Sequence, residues 1–175
     1  MTTSFALLKP KYDDRWKRMK IRPAKEHNID HDPDVAAEVI VRNKDAYQHC
    51  ESLCHGIPWW WFGPTHYREA SLDFSKYLGN GQSLRMRTTI VPKNRGPFDS
   101  FWSGVADAMK LQGFIGASDW SLARSCYRWE GYNGFGYEGK CAPPYLYAGS
   151  DQYGPPEAPG GFYVGDHDFR PGAVW

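Results

Sequence analysis

The segment Ile57-Pro58-Trp59-Trp60-Trp61-Phe62-Gly63-Pro64-Thr65-His66-Tyr67-Arg68-Glu69 constrains this chain more than any other. Three consecutive tryptophans and a phenylalanine demand an interior, and a carboxylate follows them about two helical turns later. Successive helical side chains point in different directions, so Trp59, Trp60 and Trp61 cannot all face one way. At most one or two approach a common cleft while the others fill core. Burial disfavours the charged form of a carboxyl, so a glutamate delivered into such surroundings can keep its proton near neutral pH. The plainer alternative is a surface Glu69 paired with Arg68 or Lys76.

The neighbouring elements follow from local signals. Residues 1–28 are charged and weakly periodic, and read as an extended N-terminal arm. Asp30-His31-Asp32-Pro33-Asp34 suits the first turn of a helix, where backbone N–H groups lack partners. Val35, Val39, Tyr47 and Leu53 then place one apolar stripe on a single long helix that Gly56 ends. Pro58 opens a second helix that runs to Arg68 or Ala70, with Pro64 as an irregularity inside it. Asn80-Gly81 is a turn signal, and Arg85 to Val91 is rich in β-formers, so a small β-hairpin is expected after Glu69. Phe98–Leu111 is expected to be helical, with Phe101, Val105, Ala108 and Met109 on its buried face. A further helix spans Trp120–Gly131, capped by Ser118 or Asp119. Beyond it lie loops with aromatic anchors. The expectation is an α+β fold, mainly α, with one domain over residues 29–175.

Charge and cysteine usage narrow the function. The formal net charge is +1, so no bulk field attracts nucleic acid or an anionic membrane. A basic patch at Lys9, Lys11, Arg15, Lys17, Arg18, Lys20, Arg22 and Lys25 is partly offset by Asp13, Asp14 and Glu26. No apolar run reaches the ~18 residues that a membrane span requires, and no signal-peptide pattern opens the sequence. Cys50, Cys54, Cys126 and Cys141 form no zinc-finger spacing, and read as free thiols or, after export, an early-to-late bridge. His49 and His55 flank the first pair of cysteines. His27, His31, His49, His55, His66 and His167 are scattered, with no H-E-x-x-H pattern. Neither a metal nor a cofactor is expected.

Two motifs carry a resemblance. Tyr67-Arg68-Glu69-Ala70-Ser71 resembles the "RES" element of goose-type lysozymes and bacterial lytic transglycosylases. Gly131-Tyr132-Asn133-Gly134-Phe135-Gly136 is similar to their downstream "AYNAG" element. Ala70 stands where that family has Ser, and Gly134-Phe135 where it has Ala-Gly. The resemblance covers roughly residues 30 to 150 and extends to small phage endolysin-type muramidases. It implies a lysozyme-like fold and a peptidoglycan glycan strand as substrate, with Glu69 as the catalytic acid. Tyr132 and Asn133 then line the sugar cleft, the amide hydrogen-bonding N-acetyl groups and the phenol stacking. Tyr67, Gln82 and Thr89 complete the binding set.

The second catalytic group is left open. An inverting glycosidase needs a base about 6.5–9.5 Å from the acid. Asp73, at i+4 from Glu69, shares its face only if the helix continues, and otherwise sits in the turn that follows. Thr88, and Thr89 beside it, offer hydroxyls that position water. A lytic transglycosylase needs no such group. A monomer made in a host cytoplasm and acting on the cell wall, without stable membrane insertion, completes the expectation. Rival readings are a non-catalytic wall-binding phage protein, a chitinase-type enzyme and a metal-dependent amidase.

Overall fold

Seven α-helices are laid out along the chain, and almost no strand accompanies them among the described residues. The computed structural model describes residues 3–153 and 170–174; His167 lies outside them. The helices are α1 (Phe5–Arg18), α2 (Pro33–Arg42), α3 (Lys44–Leu53), α4 (Trp59–Ala70), α5 (Phe101–Leu111), α6 (Leu122–Asn133) and α7 (Pro144–Tyr147), with a 3-10 turn at Phe135–Tyr137. They divide between two compact units, one built from residues 1–39 and 121–175, the other from residues 40–120.

In the first unit the N-terminal segment is not an arm. Phe5, Leu8 and Tyr12 recur at helical spacing on α1, and Leu8 and Tyr12 are buried. Phe5 meets the Tyr127 ring edge-on at 5.6 Å. The Tyr12 hydroxyl donates to Glu130 Oε2 at 2.8 Å, joining α1 to α6 inside the core. Pro10 and seven basic or acidic side chains disguise this face in the sequence, since α1 holds Lys9, Lys11, Asp13, Asp14, Arg15, Lys17 and Arg18. Many of those charges are spent locally, as Lys9 pairs with Asp13, Arg18 with Asp14 and Lys11 with Glu138. The segment after α1 pairs antiparallel with residues 149–151 through the Ile21–Ser150 bridge. Ala173 and Val174 are buried, and Gly172 passes so close to the Leu146 carbonyl that a Cβ would overlap it.

In the second unit α4 is central. Its first free N–H, on Trp59, is capped across the α3–α4 turn by the Glu51 carboxylate at 3.2 Å. Trp61 is fully buried, with Phe114 and Trp120 each edge-on at 5.6 Å, whereas Trp60 is exposed and Trp59 lies under Lys44. The expected long helix is two helices, broken at Asn43. α5 begins at Phe101 because Ser100 and Ser103 form a capping box, and the predicted face of Phe101, Val105, Ala108 and Met109 is buried. Across the chain the N-cap of α6 is Ser121, two or three residues after the predicted one.

His66 sits in an aromatic box of Phe74, Phe101 and Tyr47, whose ring centroids lie 4.7, 4.6 and 6.0 Å away. Nδ1 is 3.1 Å from the Tyr47 hydroxyl. Burial drives its pKa down to about 4 and keeps the ring neutral. An unfolded chain protonates that histidine near its ordinary value of about 6.5. The stability His66 contributes is therefore complete above about pH 6.5 and is lost as pH falls toward 4. Between those limits wild type loses about 3 kcal/mol through this group. Chemical denaturation at pH 7, 5.5 and 4 checks this. His66→Gln loses markedly less over the same range, and an identical acid slope in both proteins contradicts it.

Candidate functional site

Glu69 is the penultimate residue of α4, half-buried between Arg68 and Ala70, both of which are buried. The helix cannot run past it. Ser71 and Leu72 both take left-handed backbone conformations, at φ 51° and 60°. The Ser71 N–H reaches the Tyr67 carbonyl at 3.0 Å and that of Leu72 the His66 carbonyl at 3.4 Å, closing the helix end. The carboxylate is thus delivered at a helix terminus, with the chain reversing immediately after it.

Asp73 lies in that reversal rather than on the helix, so it does not share the helical face of Glu69. Its Oδ1 accepts from the Ser75 N–H at 2.9 Å and the Ser75 hydroxyl at 2.7 Å. Those two donors hold its carboxyl below the usual range, and Lys76 stands 3.8 Å away. The chain then turns through Tyr77–Gln82, with the Tyr77 N–H on the Gln82 carbonyl at 2.7 Å and a single antiparallel bridge between Lys76 and Ser83. Gly81, at φ 71°, sits against the Glu69 main chain. A Cβ there would lie 2.4 Å from the Glu69 carbonyl oxygen.

The expected strand at Arg85–Val91 is instead an irregular loop, and the reason is visible in its hydrogen bonds. The Gln82 amide oxygen accepts from the N–H groups of Thr89 at 2.8 Å and Ile90 at 3.1 Å, while its nitrogen donates to the Thr89 hydroxyl at 2.9 Å. One side chain takes up donors that a partner strand would have used. Thr88 is 2 % exposed, and its hydroxyl donates to the Pro92 carbonyl and accepts from the Arg95 N–H. Asn80 donates to the Ile90 and Pro92 carbonyls at 3.2 and 3.4 Å. Arg95 is anchored in turn on Asp107 of α5, which also accepts from the Tyr77 hydroxyl. Burial raises the Asp107 carboxyl, but the Arg95 and Tyr77 hydrogen bonds prevail and hold it ionised below the usual range. Asp107 is the clamp of this loop. Only its Asx type on a helix hinted at that.

Of the candidate residues, the structure therefore brings Glu69, Asp73, Gln82, Thr88 and Thr89 onto one continuous stretch of the second unit. Gln82 and Thr89 are hydrogen-bonded to each other. Tyr67 is 3 % exposed and packs inside, on the helix that carries the acid. Tyr132 and Asn133 end α6 in the first unit, Tyr132 half-buried and Asn133 exposed, ahead of Gly134 at φ 91°. No set of three His, Cys, Asp or Glu side chains is grouped for a metal among the described residues. The cysteines are thiols; Cys50, Cys54 and Cys126 are buried, their pKa values pushed up to about 12, 11 and 12. Burial makes them poor nucleophiles. Comparison with family models, with curated proteins and with solved structures finds no match.

The Gly81 contact generates a direct test. Gly81→Ala forces a methyl group toward a backbone oxygen at a positive φ, and destabilises the protein by about 1–3 kcal/mol. Equilibrium unfolding measures that cost. Gly113→Ala, also at positive φ but with nothing within 4 Å, is the control for backbone strain alone and costs less. Equal costs at the two positions would remove the Glu69 contact from the explanation.

Proposed function

We propose that this chain is a peptidoglycan-degrading glycosidase with a lysozyme-like arrangement. Glu69 is its general acid at the β-1,4 bond between N-acetylmuramic acid and N-acetylglucosamine. The observation that carries the reading is the delivery of Glu69 on the last turn of an aromatic-packed helix, where the chain reverses at Ser71-Leu72 and the Gly81 turn closes against it. The turn at 76–83 follows Glu69 along the chain, as a hairpin follows the acid in the lysozyme-like proteins it resembles, and so supports the reading. A proton passed from Glu69 to the leaving oxygen neutralises that atom while positive charge builds on the sugar ring. Thr89, exposed and accepting from Gln82, keeps its own hydroxyl proton for an acceptor on the glycan. Glycan strands are the partner, a monomer is the working form, and no cofactor takes part. The chain is made in a cytoplasm and acts on the wall. No helix of the described residues is long and apolar enough to cross a membrane.

A specific observation favours transglycosylation over hydrolysis as a second reading. Asp73 commits one oxygen to two Ser75 donors and is held well ionised, which makes it a weak base. The buried Thr88 hydroxyl is spent on the loop. With Asp73 a weak base and the Thr88 hydroxyl engaged, attack by the sugar's own 6-hydroxyl needs the acid alone to start.

Zymography on purified peptidoglycan tests the assignment. Wild type clears the gel, and Glu69→Gln loses at least about 100-fold in rate, the usual contribution of a positioned acid. Equal clearing by both, or none by either, overturns it. Mass spectrometry of the products separates the two chemistries, because hydrolysis leaves a reducing sugar and transglycosylation an anhydro sugar.

A further inference from the structure

Beside the Thr89 hydroxyl, the loop at residues 85–94 shows the solvent side chains that a sugar-binding surface does not need. Ile90 and Val91 are 53 % and 79 % exposed at its tip, and Met86 is 48 % exposed at its base. Arg85, Arg87 and Lys93 are exposed around them, and no acidic residue occurs between Leu84 and Phe98. The loop is held in this display: the Thr88 N–H meets the Arg95 carbonyl at 2.9 Å and the Asn94 N–H meets the Thr88 carbonyl at 2.9 Å, closing its mouth. The amides of Asn80 and Gln82 tie its inner edge. Those same contacts occupy the Asn80 and Gln82 amide groups and the Thr88 hydroxyl. What faces outward is chiefly aliphatic side chain and positive charge.

We infer that this loop docks the protein on an anionic lipid bilayer, Ile90 and Val91 entering the headgroup–acyl boundary while Arg85, Arg87 and Lys93 meet lipid phosphates. Aliphatic side chains gain free energy by leaving water for the acyl region, and cations beside them are attracted by anionic headgroups. A glycan would call for aromatic faces and free amides instead. A net charge of +1 does not oppose this, because headgroup attraction falls off within a Debye length and the local cluster decides it. The contact is peripheral, with two short side chains inserted, and no helix of the described residues is long and apolar enough to span the bilayer. It does not call on the Glu69 carboxylate, although Thr89 of the same loop is a glycan contact in the reading above.

Co-sedimentation of the full chain with vesicles tests the inference. Wild type partitions onto phosphatidylglycerol–phosphatidylcholine vesicles, partitions poorly onto phosphatidylcholine alone, and is weakened by 0.5 M salt, a probe concentration chosen to reduce the Debye length to roughly 4 Å. Replacing Arg85, Arg87 and Lys93 by Gln lowers the partition coefficient by about fivefold per cation. Ile90→Ser with Val91→Ser lowers it about tenfold or more. All five side chains are exposed, and thermal melts matching wild type show that the variants fold. Glu69→Gln partitions as wild type, so failure of the glycosidase reading and failure of this one are told apart. Absence of partition onto anionic vesicles, or partition by both sets of variants equal to that of wild type, overturns the inference. So does a loop whose variants lose binding to isolated wall sacculi while vesicle partition never occurs.

Discussion

The close approach of the Gly81 turn to the Glu69 carbonyl organises the second unit around its candidate acid. It is possible only because residue 81 lacks a side chain and tolerates a positive φ. From that contact outward each element holds the next: Asn80 and Gln82 pin the 88–92 loop, Thr88 joins it to Arg95, and Arg95 is clamped on Asp107. The helix end that carries the carboxylate packs against the turn, and the turn and the loop are one hydrogen-bonded assembly.

Beneath the assembly lies an aromatic interior with one polar member. His66 stays neutral because it is buried among Tyr47, Phe74 and Phe101, and that burial anchors the last turns of α4. The first unit uses a related device. Tyr12 donates to Glu130 within the packing of α1 on α6, and burial raises both groups above their ordinary pKa values. One titratable group in the second unit and a hydrogen-bonded pair in the first are accepted into the core at an energetic cost that the surrounding packing offsets.

Much of this was legible from residue types. Pro58 opens α4 and the helix ends at Ala70, one of its two expected ends, and Phe101, Val105, Ala108 and Met109 mark the buried face of α5. The Asn80-Gly81 turn is where its residues put it. Other features were hidden for physical reasons. The face of α1 is three residues wide and crowded by ion-pairing side chains, so its period is masked. Arg85–Val91 has the composition of a strand, but composition does not reveal that the Gln82 amide takes up the donors a ladder would use.

What the sequence determined alone is local: where helices start and stop, which faces are apolar, and that a glutamate follows a tryptophan cluster at the end of a helix. These follow from periodicity, capping and backbone freedom, which act over a few residues. Only the tertiary structure decided that Asp73 falls in the reversal, bound to Ser75, and that Thr88 is spent inside a loop. It also decided that Trp61 alone of the three tryptophans is fully interior, and that Ile90 and Val91 stand exposed beside three cations. Those outcomes depend on which distant group satisfies each donor and acceptor, and that pairing does not exist until the chain has folded.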